Sequence, residues 1–240
     1  MSILKILLQE KNDKVKGRLY HQTQIKLTFN TNKIEGSKLS EEQTRYIYET
    51  NTLFMEAGNE TANVDDIIET VNHFSCFDYM LDVAHEQLSE LQIKKIHQIL
   101  KINTSDSRKK WFNLGAYKSR ANIVGGIETC LPENVNAQMS MLLSEYNKKS
   151  NITFEDIVDF HFKFERIHPF QDSNGRVGRL IMFKECLRSN IVPFIIEDEY
   201  KFFYYRGLSE YLNTKGYLLD TCLSAQDKYK AILDYFEIKY

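Results

Sequence analysis

The chain has 240 residues, enough for one large domain or a core with a smaller helical lobe. Its 31 basic and 33 acidic residues nearly cancel, which excludes a general nucleic-acid binder. Only three prolines and ten glycines interrupt a sequence rich in Leu, Ile, Lys and Glu, so an all-α fold is expected.

The apolar start, residues 1–8, is too short to span a membrane and runs into Gln-Glu-Lys-Asn-Asp-Lys without a small-residue cleavage site, so no membrane partner is expected. Gly36 suits the C′ position just past a helix, which puts Glu35 in the last turn of a short helix over about 25–36. A carboxylate there opposes the helix dipole and needs a compensating cation. Ser40-Glu41-Glu42-Gln43 reads as a capping box opening the next helix. Further helices are expected over 65–88, 89–101 and 134–147, with loops at 58–59 and 104–107. Cys76, Cys130, Cys186 and Cys222 are too widely spaced for a zinc site or a disulfide framework, and a reducing cytoplasm is their natural setting.

Phe154, Ile157, Val158, His161, Phe164 and His168 recur at helical spacing, and Pro169 ends that helix at or near His168, leaving the imidazole at the helix mouth. A histidine there can gain or lose a proton near neutral pH. Val177, Leu180, Ile181, Cys186 and Leu187 mark a second buried helix, capped by Asp172, Ser173 or Asn174. The glycine-containing loop between the helices presents free N–H groups at a helix N-terminus, an anion site. Arg176 and Arg179, three residues apart, can lie on one side and reach successive phosphates of a polyphosphate. Asp172 is better suited to hold a magnesium ion than to face phosphate directly. The rest reads as a helix over 200–212 and a helical tail over 215–240.

The segment His168-Pro-Phe170-Gln-Asp172-Ser173-Asn174-Gly175-Arg176-Val177-Gly178-Arg179 resembles the signature of the Fic (Fido) family, His-x-Phe-x-Asp/Glu-Gly-Asn-Gly-Arg-x-x-Arg. Its one departure is Ser173, where the family usually has glycine, a residue that allows close approach and torsions a β-carbon resists. Upstream, residues 115–126 resemble the family's flap, a β-hairpin that aligns the target segment by main-chain hydrogen bonds through Asn122, Ile123, Val124 and Gly125. Downstream, Tyr204, Tyr205 and Asn213 resemble its adenine and ribose contacts, and Thr31-Asn-Lys-Ile-Glu35-Gly36 resembles its class II inhibitory motif.

The resemblance implies a helical bundle around a helix-loop-helix site, with an N-terminal helical region over 1–90, a Fic core over 91–213 and a tail over 214–240. It implies a protein adenylyltransferase that transfers AMP from ATP to a Ser, Thr or Tyr hydroxyl of a target protein and to itself; a homodimer is also admitted. His168 would be the base, Asp172 would hold magnesium or manganese, Ser173, Gly175, Val177 and Gly178 would line the phosphates, and the Asn174 side chain would face the α-phosphate. Arg176 and Arg179 would contact the β- and γ-phosphates, and Glu35 would inhibit by pairing with Arg179. Other transfers (the γ-phosphate, UMP, phosphocholine), removal of AMP, and a nucleotide-binding regulator without activity remain open alternatives.

Overall fold

The computed structural model describes residues 2–55 and 61–240. Among these are ten α-helices and one hairpin: α1 (Ile3–Asn12), α2 (Leu19–Ile34), α3 (Glu41–Thr50), α4 (Val64–Asp82), α5 (Glu90–Lys101), β1 (Ile123–Val124), β2 (Ile127–Glu128), α6 (Pro132–Asn147), α7 (Phe154–Ile167), α8 (Asn174–Arg188), α9 (Lys201–Glu210) and α10 (Gly216–Tyr235). The loop expected at 58–59 lies outside the described residues. No described helix is long and apolar enough to cross a membrane.

Capping chemistry sets several of these boundaries. Ser40 and Gln43, Ser89 and Gln92, and Thr153 and Asp156 form reciprocal capping boxes at the starts of α3, α5 and α7. Pro132 takes the first turn of α6, where its missing N–H has no helical partner to lose. The helix expected over 65–88 stops at Asp82, because the chain turns there to reach the Ser89 cap of α5.

The helix expected over about 25–36 is longer and earlier, Leu19–Ile34. Its apolar period is diluted by buried polar residues that find partners across the bundle. The Thr28 hydroxyl meets His73 Nδ1 at 2.8 Å, Thr23 meets the Tyr229 hydroxyl at 2.9 Å, and Gln24 Nε2 donates to the Phe74 carbonyl at 3.2 Å. Burying such groups is tolerable only with these bonds in place.

The centre of the molecule is α8. Its residues from Arg176 to Leu187 are all buried, the mark of a helix enclosed on every side. Helices α7, α4, α2, α5 and α1 surround it. One apolar core runs from Leu7 in α1 through Phe77, Ile96, Phe164 and Phe183 to Leu233 in α10, so the stretches 1–90, 91–213 and 214–240 share it. The consequence for the site is that both ends of the α7–α8 connection are fixed by a rigid interior.

Candidate active site

The connection between α7 and α8 is built from local chemistry. His168 ends α7 in a left-handed conformation (φ 51°, ψ 61°), with its N–H on the Phe164 carbonyl, and Pro169 prevents the helix continuing. Phe170 turns inward and stacks on His97, with ring centroids 4.0 Å apart. Asn174 then closes the loop on Phe170, accepting its N–H at 2.8 Å and donating to its carbonyl at 2.9 Å. This corrects the expectation that the Asn174 side chain faces a phosphate: the amide is buried and spent on the loop.

Ser173 is the residue before α8 and is also left-handed, at φ 67°. Glycine adopts such torsions without strain, which explains the family preference at this position. Here the serine hydroxyl donates to Asp172 Oδ2 at 3.1 Å and accepts from Arg176 Nη2 at 2.7 Å. Two glycines of the motif sit where a β-carbon would crowd a neighbouring side chain. A β-carbon on Gly175 would stand 2.4 Å from Glu35 Oε1, and one on Gly178 would stand 2.6 Å from His161 Nδ1. Gly178 and Val177 are therefore not phosphate ligands as expected. Gly178 faces His161, while Val177 is core and gives its N–H to the Ser173 carbonyl.

Burial, reinforced by the nearby charge of Lys118, holds the His168 imidazole down to about 4, so it is neutral at pH 7 and can accept a proton. Its Nδ1 is buried without a hydrogen-bond partner. Lys118 is itself buried. Its N–H donates to the Pro169 carbonyl at 2.9 Å, and Nζ reaches Asn122 Oδ1 at 2.7 Å and the Thr129 hydroxyl at 2.6 Å. That lysine ties the motif loop to the hairpin. Ile123 pairs with Glu128 and Val124 with Ile127 around Gly125 and Gly126, whose positive φ values suit a two-residue hairpin turn. Ile123 and Val124 are exposed, and Asn122 serves as the clamp at the hairpin's base.

The two arginines diverge. Arg179 meets Glu35 Oε1 at 2.5 Å, the Thr31 carbonyl at 3.2 Å and the Tyr204 hydroxyl at 3.4 Å. Glu35 is the residue at the C-terminal end of α2, held there by Gly36 at φ 99° and by two closing bonds, Gly36 N–H to the Lys33 carbonyl and Ser37 N–H to the Asn32 carbonyl. This is the Schellman arrangement expected of a glycine at C′. The carboxylate thus lies against Gly175 in the first turn of α8, where N–H groups lack intrahelical acceptors and the dipole favours an anion.

Arg176 instead points at α4, forming a two-pronged pair with Glu69. The expectation that both arginines face one polyphosphate is corrected by this pairing. Asp172 Oδ2 accepts from Lys101 at 2.7 Å and from Arg176 at 3.3 Å. Burial alone would raise the Asp172 carboxyl, but Arg176 and Lys101 hold it well below the usual carboxylate range.

Tyr204 does not offer a face to a base as expected. It is 1% exposed, and its hydroxyl is shared between His161 Nε2, at 2.7 Å, and Arg179. Tyr205 is half exposed and donates to the Ile34 carbonyl at 3.3 Å, while Asn213 is exposed with a local bond to Glu210. Neither of these two contacts the motif loop through a described hydrogen bond.

The sequence motifs assign no site role to Glu69, Lys101, Lys118 or His161. The available signal was an ionisable residue on an apolar stripe: Lys101 follows Ile93, Ile96, His97 and Leu100 on the buried face of α5. Burial pushes the nearby Glu165 carboxyl up to about 8, so this group is largely protonated at neutral pH beneath Arg179.

Residues 87–186 match the model of the Fic/DOC family. The chain is 27% identical over 198 residues to protein adenylyltransferase fic-1 of Caenorhabditis elegans, covering 80% of this chain and 37% of that protein. It is 26% identical to protein adenylyltransferase Fic of Nematostella vectensis, covering 77% and 42%. The chain therefore spans well under half the length of these curated relatives. Among solved structures, a Fic-domain-containing signaling protein from Bacteroides thetaiotaomicron superposes with a TM-score of 0.77 at 21% identity, covering 98% of this chain and 97% of that one. At that identity the likeness concerns the fold.

Proposed function

We propose that the chain, whose residues 87–186 match the Fic/DOC family model, is a protein adenylyltransferase, moving AMP from ATP to a Ser, Thr or Tyr hydroxyl of a target protein. One observation carries the reading: a neutral imidazole, His168, and an anion-seeking helix start, the first turn of α8, are held at opposite ends of one short, internally bonded loop. His168 takes the proton of the target hydroxyl as its oxygen bonds to the α-phosphorus. The bond to the bridging oxygen breaks, pyrophosphate leaves, and AMP stays on the protein. The α8 N–H groups stabilise charge on the phosphate, and Arg179 receives the γ-phosphate once Glu35 releases it.

The donor set also fits a divalent cation. The described side-chain bonds of Asp172 all use Oδ2, and one carboxylate completed by phosphate oxygens and water is how magnesium is commonly bound beside nucleotides. Magnesium or manganese held by Asp172 would offset charge on the phosphates. Arg176 braces Asp172 and Ser173, and Tyr205, not Tyr204, is available to the nucleoside.

The exposed edge of β1 suits a target segment added as a further strand, which would present its hydroxyl to His168. Segments of this chain itself, or of a second copy in a homodimer, are admissible targets. The described cysteines are free, in keeping with a reducing compartment, and we place the protein in the cytoplasm. Removal of AMP is a second reading, favoured by the Glu35 carboxylate standing beside Gly175, where it could orient a water.

The test is incubation of the Glu35→Gly protein and a host lysate with α-labelled or γ-labelled ATP. Label on protein from the α-position alone is expected. Transfer of the γ-label, or of neither label, overturns the assignment, and loss of label from a pre-modified protein with wild type would favour removal.

A further inference from the structure

Behind Asp172 lies a buried lysine that no part of the motif includes. Lys101, in the last turn of α5, is 2% exposed, and its ammonium touches three carboxylates: Glu69 at 2.6 Å, Asp172 at 2.7 Å and Asp106 at 2.9 Å. An ammonium has three donors, so this one is fully used. The other oxygen of Asp106 is covered by the exposed Lys109 at 2.6 Å, and both oxygens of Glu69 are engaged by Arg176. Both oxygens of Glu69 and of Asp106 are thus engaged within the cluster. The exception is Asp172, whose side chain is 46% exposed and whose bonds to Lys101, Arg176 and Ser173 all fall on Oδ2.

The geometry points to Lys101 as a positioning residue for Asp172, its ammonium gripping one carboxylate oxygen from the interior so that the other faces the nucleotide's divalent cation. This rests on the assignment of Asp172 to that cation. Three facts favour it over a merely structural ion pair. Lys101 makes the shortest of the contacts to Asp172, shorter than the 3.3 Å from Arg176, so it is the main restraint on that carboxylate. Lys101 comes from a different helix than the motif, so it ties Asp172 to the α4–α5 pair and not to its own loop. The cluster keeps the ammonium away from solvent, which stops it reaching forward to compete for the phosphates. A ligand held by such an outer partner binds metal better because its direction is set in advance.

The experiment measures metal affinity apart from turnover. Manganese binding is followed by electron paramagnetic resonance in the complex of the full chain with a non-hydrolysable ATP analogue, alongside the magnesium midpoint of AMP transfer in the Glu35→Gly background. Lys101→Met is expected to weaken manganese binding and raise the magnesium midpoint together by about tenfold, with the rate at saturating magnesium reduced by less than about threefold. Lys101→Arg keeps the buried charge but displaces it, and about a threefold weakening is expected. It also decides the matter should Lys101→Met fail to fold. Unchanged manganese affinity in the folded variants, or a lost rate with an unmoved magnesium midpoint, overturns the proposal. Should no AMP transfer occur in any version, the manganese measurement still judges Lys101; transfer with metal affinity indifferent to Lys101 removes this inference and leaves the enzymatic reading standing.

Discussion

Arg176 and Arg179 stand three residues apart on α8 and each meets a carboxylate from the N-terminal half, yet the two pairs are different devices. Glu69 comes from the middle of α4, engages Arg176 with both oxygens and is shared with Lys101 inside the bundle. Glu35 comes from the end of α2, engages Arg179 through one oxygen, remains 31% exposed and opposes the dipole of its own helix. The first pair is a brace and the second a latch. A carboxylate at a helix end can move away with that end, whereas one in a helix interior moves only with the helix.

The largest expected effect tests the site without touching either pair. His168→Ala should lower AMP transfer by about 10²–10⁴-fold, the range for losing a general base, while ATP affinity stays within about twofold. Equal losses of rate and affinity, measured by initial rates and calorimetry, would make His168 a structural residue. A milder version uses pH. Only the neutral imidazole accepts a proton, and its folded value is depressed to about 4, so the rate should be level from pH 6 to 8 and fall as pH drops towards 4. An acid limb centred near 6.5 would contradict the burial of this ring.

Next comes the brace. Glu69→Ala leaves the buried Arg176 without its two-pronged partner and Lys101 with two of its three carboxylates, and unfolding in urea should show a loss of about 3–5 kcal/mol. A change below about 1 kcal/mol would mean that Glu69 is as dispensable as a surface charge.

The latch should behave in the opposite way. Glu35→Gly should cost about 1–3 kcal/mol of stability, since the carboxylate is partly solvated but its loss leaves the buried Arg179 guanidinium without an acidic partner, yet raise the initial AMP-transfer rate about tenfold, equivalent to ~1.4 kcal/mol. Adding Arg179→Ala should abolish that gain. An unchanged rate on removing Glu35 would show that the pair is no control on activity.

The smallest effect concerns Ser173. Ser173→Gly relieves a left-handed serine but deletes its hydroxyl bonds to Asp172 and Arg176, so stability should change by no more than about 1 kcal/mol in either direction. A loss of about 3 kcal/mol would place Ser173 in the brace itself.

The sequence by itself determined the parts whose causes are local. Pro169 ends α7, the Ser40, Ser89 and Thr153 capping boxes start helices, Gly36 fixes the end of α2, and the paired glycines turn the hairpin, because each depends on torsions and bonds within a few residues. The Glu35–Arg179 pair followed from the family resemblance, not from any spacing, since 144 positions separate the partners. Only the tertiary structure decided where Arg176 points, what holds Asp172 and why α2 is a buried helix with a polar face. Those outcomes rest on partners 107, 71 and 45 residues distant, Glu69 to Arg176, Lys101 to Asp172 and Thr28 to His73. Helical period shows which face of a segment turns inward; whether an ionisable or polar group on that face is a mistake, a core bond or part of a site depends on which other helix arrives with the matching charge.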